Sequence, residues 1–316
     1  MDNIYFDIIK YTFGTITIGY ISHKIINDYK VKKDFKAKKI VEIKKTPKYR
    51  LYCNEIIVSN LQRYETRKNI DTFIKFMLKN YSDDILQCFF YNINSIKIKE
   101  SKIMNFELLG MKVDGYYDAC TNEIKVTDSN VIFHELFHAS STIYDGKKGM
   151  VYQGFSQVDL KNDTSIGIGL NEGYTEYLSS KYFYHNDNSA YFYESYIAQK
   201  LEKIIGFNEM EELYLTADLY GLIEKLKKYN TKEKIMTFIN NIDIISKHRF
   251  YENDIIKKLK EDVYEFLYNT YLNKLNNDYN NGMINKCDVI NNIKNYLGNY
   301  SFFEKNDNYI LEYLKK

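Results

Sequence analysis

A chain of 316 residues, 45% apolar, with 32 Tyr, 19 Phe, a single Pro and no Trp, is long and apolar enough for a substantial buried core and unlike a disordered segment. Its formal net charge of +2 removes any global argument for nucleic acid or acidic partners. Cys53, Cys88, Cys120 and Cys287 are scattered without a CxxC pair, so neither a disulfide framework nor a thiolate zinc site is signalled, and a reducing, cytoplasmic setting is expected.

Residues 4–22 are largely apolar, but Asp7 and Lys10 interrupt them and leave "YTFGTITIGYIS", an uncharged run of twelve, before His23 and Lys24. A spanning helix needs roughly 17–25 residues, and the run lacks the basic start and small-residue cleavage site of a secretory signal. A packed N-terminal element, a marginal membrane anchor and a misread signal all stay open. Between Ile21 and Arg50, eleven Lys or Arg face three acids. Such a stretch can meet anionic lipid, so membrane association through residues 1–50 is an open expectation. If the run spans, these lysines predict that the main domain stays on the cytoplasmic side. No recognition motif accompanies the lysines, and no specific nucleic acid is expected.

Pro47 closes the basic stretch, with a boundary near Tyr49. From there to Tyr81 the pattern is helical, with Ile70, Phe73, Ile74 and Met77 on one face. The mixture of β-branched and aromatic residues from Ile85 to Val113 predicts strands. "GYYDACTNEIKV", from Gly115 to Val126, reads as two short strands around a turn near Cys120 to Asn122. Thr127 to Asn130 supply candidate N-caps for a helix starting at about Val131. A Gly-containing loop is expected from Tyr144 to Gly169, then a second helix through "LNEGYTEYLSSKYF". Beyond Asn186 the patterns are helical, as in Ile256, Leu259, Val263, Phe266 and Leu267, with the Asn-rich stretch around Asn276 to Asn281 as a loop.

The chemistry concentrates in "HELFH", residues 134–138. Residues four apart on a helix project from one face one turn apart, so His134 and His138 can reach one ion. Zinc accepts imidazole and carboxylate, and a catalytic site needs three protein ligands and one position for water. Glu135, beside the first His, is placed to take the proton from that water. The competing reading is a helix with solvated histidines, or a polar cluster satisfied by hydrogen bonds alone. A third ligand separates the two. "GLNEGYTEYLS" offers Glu172, which follows His138 after 33 intervening residues, with Glu176 one turn further on to support a ligand histidine through its other ring N–H.

These two motifs together resemble the gluzincins, zinc metallopeptidases that join an HExxH helix to a glutamate on a following helix. Asn171 to Gly173 is similar to the third-ligand segment of thermolysin-like enzymes and zinc aminopeptidases. The resemblance implies His134, His138 and Glu172 as zinc ligands, Glu135 as catalytic base and Glu176 as the acid that hydrogen-bonds a ligand histidine, where the thermolysin-like pattern has Asp. It covers Gly115 to Leu178 and includes a hairpin placed like a gluzincin's substrate-binding edge strand. The spacing of 33 exceeds the family's, neither the aminopeptidases' Gly-x-Met-Glu-Asn segment nor the thermolysin-like downstream His region is present, and Tyr152, Tyr174 and His185 stand as oxyanion candidates.

The expected fold is α+β: residues 50–185 as a zincin-like core, a small sheet packed on the HELFH helix, and residues 186–316 as a helical C-terminal subdomain, after the apolar and basic segment 1–49. The expected activity is zinc-dependent hydrolysis of a peptide or protein. The alternative is a zincin-like membrane-associated or scaffold protein without turnover.

Overall fold

The computed structural model describes residues 64–100, 107–108, 111–112, 114–183, 191–249, 251 and 253–296. The expectations for residues 1–49, the boundary near Tyr49 and His185 lie outside the described residues. Among the described residues no helix is long and apolar enough to cross a membrane.

The architecture is α+β, and among the described residues the short strands all fall between Lys97 and Ile166. Helix α1 (Tyr64–Asn80) buries Ile70, Phe73, Ile74 and Met77, the face its periodicity predicts. It packs on the helix that carries HELFH, where the Phe73 and Phe137 rings meet edge-on at 5.0 Å. The segment "QCFFYNI" departs from expectation. It forms helix α2 (Gln87–Ile93) instead of a strand, because nearly every side chain is buried and no polar alternation remains to set a period of two.

Strand β1 (Lys97–Glu100) is followed by a two-residue pair, β2 (Glu107–Leu108) with β3 (Met111–Lys112). The expected hairpin comes next, as β4 (Gly115–Asp118) and β5 (Glu123–Val126). Asn122 turns the chain at φ 51°, and Asp118 accepts from the Cys120 N–H at 2.9 Å. The sheet order is β1-β5-β4, with β1 parallel and β4 antiparallel to β5, so β4 is an edge strand. It lies against α3 (Ile132–Ser140), all nine residues of which are buried. The candidate caps serve elsewhere: Val131 precedes α3 without a side-chain cap bond, and Asp128 accepts from the Asn130 N–H in a turn.

The expected loop from Tyr144 to Gly169 is instead an antiparallel meander. Its strands are β6 (Thr142–Asp145), β7 (Met150–Gln153), β8 (Ser156–Asp159) and β9 (Thr164–Ile166). Buried on both faces at several positions, these three- and four-residue strands carry no clean alternation to betray them. Helix α4 (Ile168–Phe183) follows, then α5 (Phe192–Ile205), α6 (Phe207–Leu215), α7 (Leu219–Leu226), α8 (Lys232–Lys247), α9 (Asp254–Asn280) and α10 (Lys286–Tyr296). Asn253 caps α9 by accepting from the Ile256 N–H at 2.9 Å. The Asn-rich stretch is the last turn of α9 and not a loop. Lys274 and Asp278, 2.7 Å apart, brace that turn before Gly282 ends it at φ 70°. One contiguous core runs from Ile70 on α1 to Tyr296 on α10.

Candidate metal centre

Helices α3 and α4 pack face to face and contribute all the charged groups of the centre. His134 and His138 lie one turn apart on α3, and their Nε2 atoms are 3.0 Å from each other. Glu172 enters from the first turns of α4 with Oε2 3.3 Å from both nitrogens. One ligand atom from each residue falls within a span of 4.8 Å, so the three can share one ion. The residues expected as ligands are therefore the ones brought together.

The far side of the His134 ring fixes which nitrogen is free. His134 donates its Nδ1–H to Glu176 Oε2 at 3.0 Å, the supporting role expected of that acid. Around His138 the bonds run through Thr175, which donates to the Asn171 carbonyl at 2.8 Å and pairs with the Tyr214 hydroxyl at 2.6 Å. With its proton committed, the Thr175 oxygen accepts from Tyr214, and His138 Nδ1 lies 3.4 Å from the Asn171 amide nitrogen and 3.5 Å from the Thr175 oxygen. His134, its Nδ1–H given to Glu176, points an unprotonated Nε2 at the carboxylate oxygen of Glu172. Two ring nitrogens and a carboxylate oxygen this close call for a cation among them. A proton on His134 is one such cation. A divalent ion is the other, and two imidazoles with one carboxylate form a donor set suited to zinc with one position left for water.

The electrostatics express the same demand. Burial alone would lower the affinity of His134 for a proton, but hydrogen bonds to Glu172 and Glu176 and the charge of Glu135 raise its pKa to about 10. Burial disfavours ionised Glu172, yet the two histidines hold it well below the usual carboxylate range. Glu135 moves the other way: burial pushes it up, against the pull of His134 and His138. A base whose pKa rises toward neutrality is better matched to accepting a proton and returning it.

Two glycines permit this arrangement. A Cβ on Gly115, in edge strand β4, would stand 2.7 Å from Glu135 Oε1 and 2.3 Å from Val131 Cγ1. The bare backbone is what lets strand β4 run directly beside Glu135. Gly154, at φ 50°, would carry a Cβ 2.2 Å from Asn171 Oδ1. That approach allows the Phe155 N–H to bond Asn171 Oδ1 at 3.3 Å and secures α4 next to its ligand.

Compared with family models, curated proteins and solved structures, the chain matches none. The site therefore rests on its own geometry.

Of the oxyanion candidates, Tyr174 is fully buried and donates its hydroxyl to Glu202 at 2.8 Å, away from the histidines. Tyr152 is buried in a small cluster with Cys88, Ile143, Met150 and Ala217. Spacing did not reveal Tyr191, whose ring lies parallel to that of His134 at 5.7 Å, or Arg249, whose guanidinium sits 4.2 Å from the centre of the Tyr191 ring. The charge of Glu172 and then burial raise the pKa of Tyr191, against the opposing influence of Arg249. One sequence signal pointed to Arg249: the chain is rich in Lys but has four Arg, and this is the only one after Arg67. A planar guanidinium stacks on an aromatic face as an ammonium cannot.

Proposed function

We propose that the chain is a zinc-dependent peptidase acting on a peptide or protein substrate. The observation that carries this reading is the convergence of His134, His138 and Glu172 within 4.8 Å, with Glu135 on the same helix turn and β4, an edge strand among the described residues, beside it. Bound there, zinc would supply Lewis acidity toward the scissile carbonyl and would lower the pKa of water.

The chain's own residues account for the remaining chemistry. Edge strand β4 offers main-chain groups to an extended peptide, which aligns the scissile bond with Glu135. As water adds to the carbonyl carbon, a C–O bond forms, Glu135 takes the proton, and the C=O π pair moves onto the carbonyl oxygen. When the adduct collapses, the C–N bond breaks and Glu135 returns the proton to the departing nitrogen. Glu176 holds the His134 ring in the tautomer that leaves Nε2 free throughout. An intact general base next to the ligands favours turnover over a scaffold that merely keeps the frame.

Elemental analysis of purified protein tests the reading. About one zinc per chain is expected in the wild type, with loss in His134→Ala, weakening in Glu172→Gln and retention in Glu135→Gln. Incubation with a mixture of unfolded proteins, read by mass spectrometry, should show new peptide termini with wild type alone. A folded wild type that takes up no metal when zinc is supplied would end the proposal.

A further inference from the structure

We propose that Tyr191 is the catalytic hydroxyl that donates to the carbonyl oxygen of the substrate as it becomes an oxyanion, and that Arg249 is its positioning residue. This inference rests on the peptidase reading and assigns a role that reading leaves empty. Tyr191 opens helix α5 beside the cluster, and its ring lies within 15° of parallel to the His134 ring, so the phenol runs alongside the ligand imidazole. The charge of Glu172 and then burial, with Glu135 adding to them, raise the pKa of its hydroxyl, as befits a ring stacked on His134. A carbonyl held at the ion would lie beside that ring. Tyr174 and Tyr214 are fully buried, whereas Tyr191 is only partly buried and can meet a substrate.

Arg249 holds the ring from the other side. It follows α8, where its Nε donates to the Ser246 carbonyl at 3.0 Å and its Nη2 to Ser246 Oγ at 3.1 Å. Those bonds hold the guanidinium 4.2 Å from the centre of the Tyr191 ring. Behind it, Glu194 is 2% exposed, interacts electrostatically with Arg249, and has one carboxylate oxygen, Oε1, without a hydrogen-bond partner. Arg249 in turn hydrogen-bonds the Tyr191 oxygen, which leaves the O–H proton to be donated. The site is thus completed by the helical second half of the chain, since α3 and α4 hold the metal ligands while α5 and α8 supply the group that meets the developing charge.

The test compares wild type, Tyr191→Phe, Arg249→Lys and Arg249→Ala, each checked for folding by circular dichroism and for zinc content. A phosphonamidate dipeptide, whose tetrahedral anion mimics the adduct, and the corresponding plain dipeptide amide are titrated by calorimetry. Tyr191→Phe should keep its zinc and its affinity for the amide, and lose about 10²-fold in affinity for the phosphonamidate, the scale of one lost oxyanion donor. Arg249→Ala should reproduce much of that loss and Arg249→Lys less of it. Where hydrolysis is measurable, kcat should fall with KM unchanged. Zinc-loaded Tyr191→Phe that binds the phosphonamidate as tightly as wild type overturns the assignment. So does a zinc-loaded wild type that prefers the amide. A wild type that binds no zinc overturns the peptidase reading, and this inference falls with it.

Discussion

Helix α4 borders two clusters of carboxylates on different faces, and they are built on opposite principles. On one face Glu172 and Glu176 meet His134 and His138. On the other, Tyr174, Tyr177, Lys181 and Tyr182 meet Glu202 from α5 and Glu211 from α6. There the carboxylate oxygens receive hydroxyl protons: Tyr174 and Tyr177 donate to Glu202 at 2.8 and 2.9 Å, and Tyr81 and Tyr182 donate to Glu211, each at 2.6 Å. Lys181 adds an ammonium 3.4 Å from Glu202 and 3.5 Å from Glu211. Donors match acceptors, and the cluster is complete as the chain folds. At the metal centre two ring nitrogens and a carboxylate oxygen face one another. Acidity and burial are common to both clusters, so neither property identifies a site. The unmet demand for a cation does.

The largest expected effect breaks the comparison at the metal centre. Glu135→Gln should keep zinc and fold normally while hydrolysis falls about 10²- to 10⁴-fold, the range for a lost general base. Parallel zinc and turnover measurements check this, and an active Glu135→Gln protein would move the base elsewhere. The next effect belongs to the other face. The double variant Tyr81→Phe/Tyr182→Phe leaves buried Glu211 with Lys181 as the remaining donor of the three named above. It should cost about 2–4 kcal/mol in urea unfolding, because a buried charged acceptor loses two hydrogen bonds. Zinc content should stay the same. Zinc lost in step with stability would mean that the two faces are one network.

That contrast also marks how far the sequence could be read. HELFH and the NEG segment were legible because their chemistry sits at fixed spacing on single helices, and helical geometry turns spacing into direction. The buried face of α1 and the β4–β5 hairpin were legible for the same reason: their periods and turn residues are local. The meander from Thr142 to Ile166 was not, since its short strands are covered on both faces and lose the alternation that marks an exposed sheet. "QCFFYNI" failed likewise, being buried nearly all round. Tyr174 looked promising because it follows Glu172 closely, but its hydroxyl is claimed by Glu202, 28 residues away. Tyr191 and Arg249 meet only through the packing of α5 and α8, and no spacing rule connects them.

The smallest effect concerns what both faces share, the N-terminus of α4. Asp243 reaches from α8 to accept the Gly167 N–H at 2.7 Å and the Gly169 N–H at 2.8 Å, which anchors the helix just before its ligand. Burial raises its pKa to about 6 from 3.8, outweighing the two N–H bonds that favour the charged form. A folded-state pKa above the unfolded one means that the native protein holds this proton more tightly. The resulting contribution to stability is present in full below about pH 4 and is lost as pH rises through 6. Asp243→Asn removes that titration. The stability of wild type relative to the variant should therefore decline between pH 4.5 and 7, by about 2 kcal/mol. Urea unfolding of both proteins at the two pH values measures the difference, in which titrations common to both cancel. A wild-type advantage that grows with pH would show that the helix N-terminus, and not burial, governs Asp243. The anchor of α4 would then be strongest as the anion, with the Gly167 and Gly169 N–H groups holding its charge.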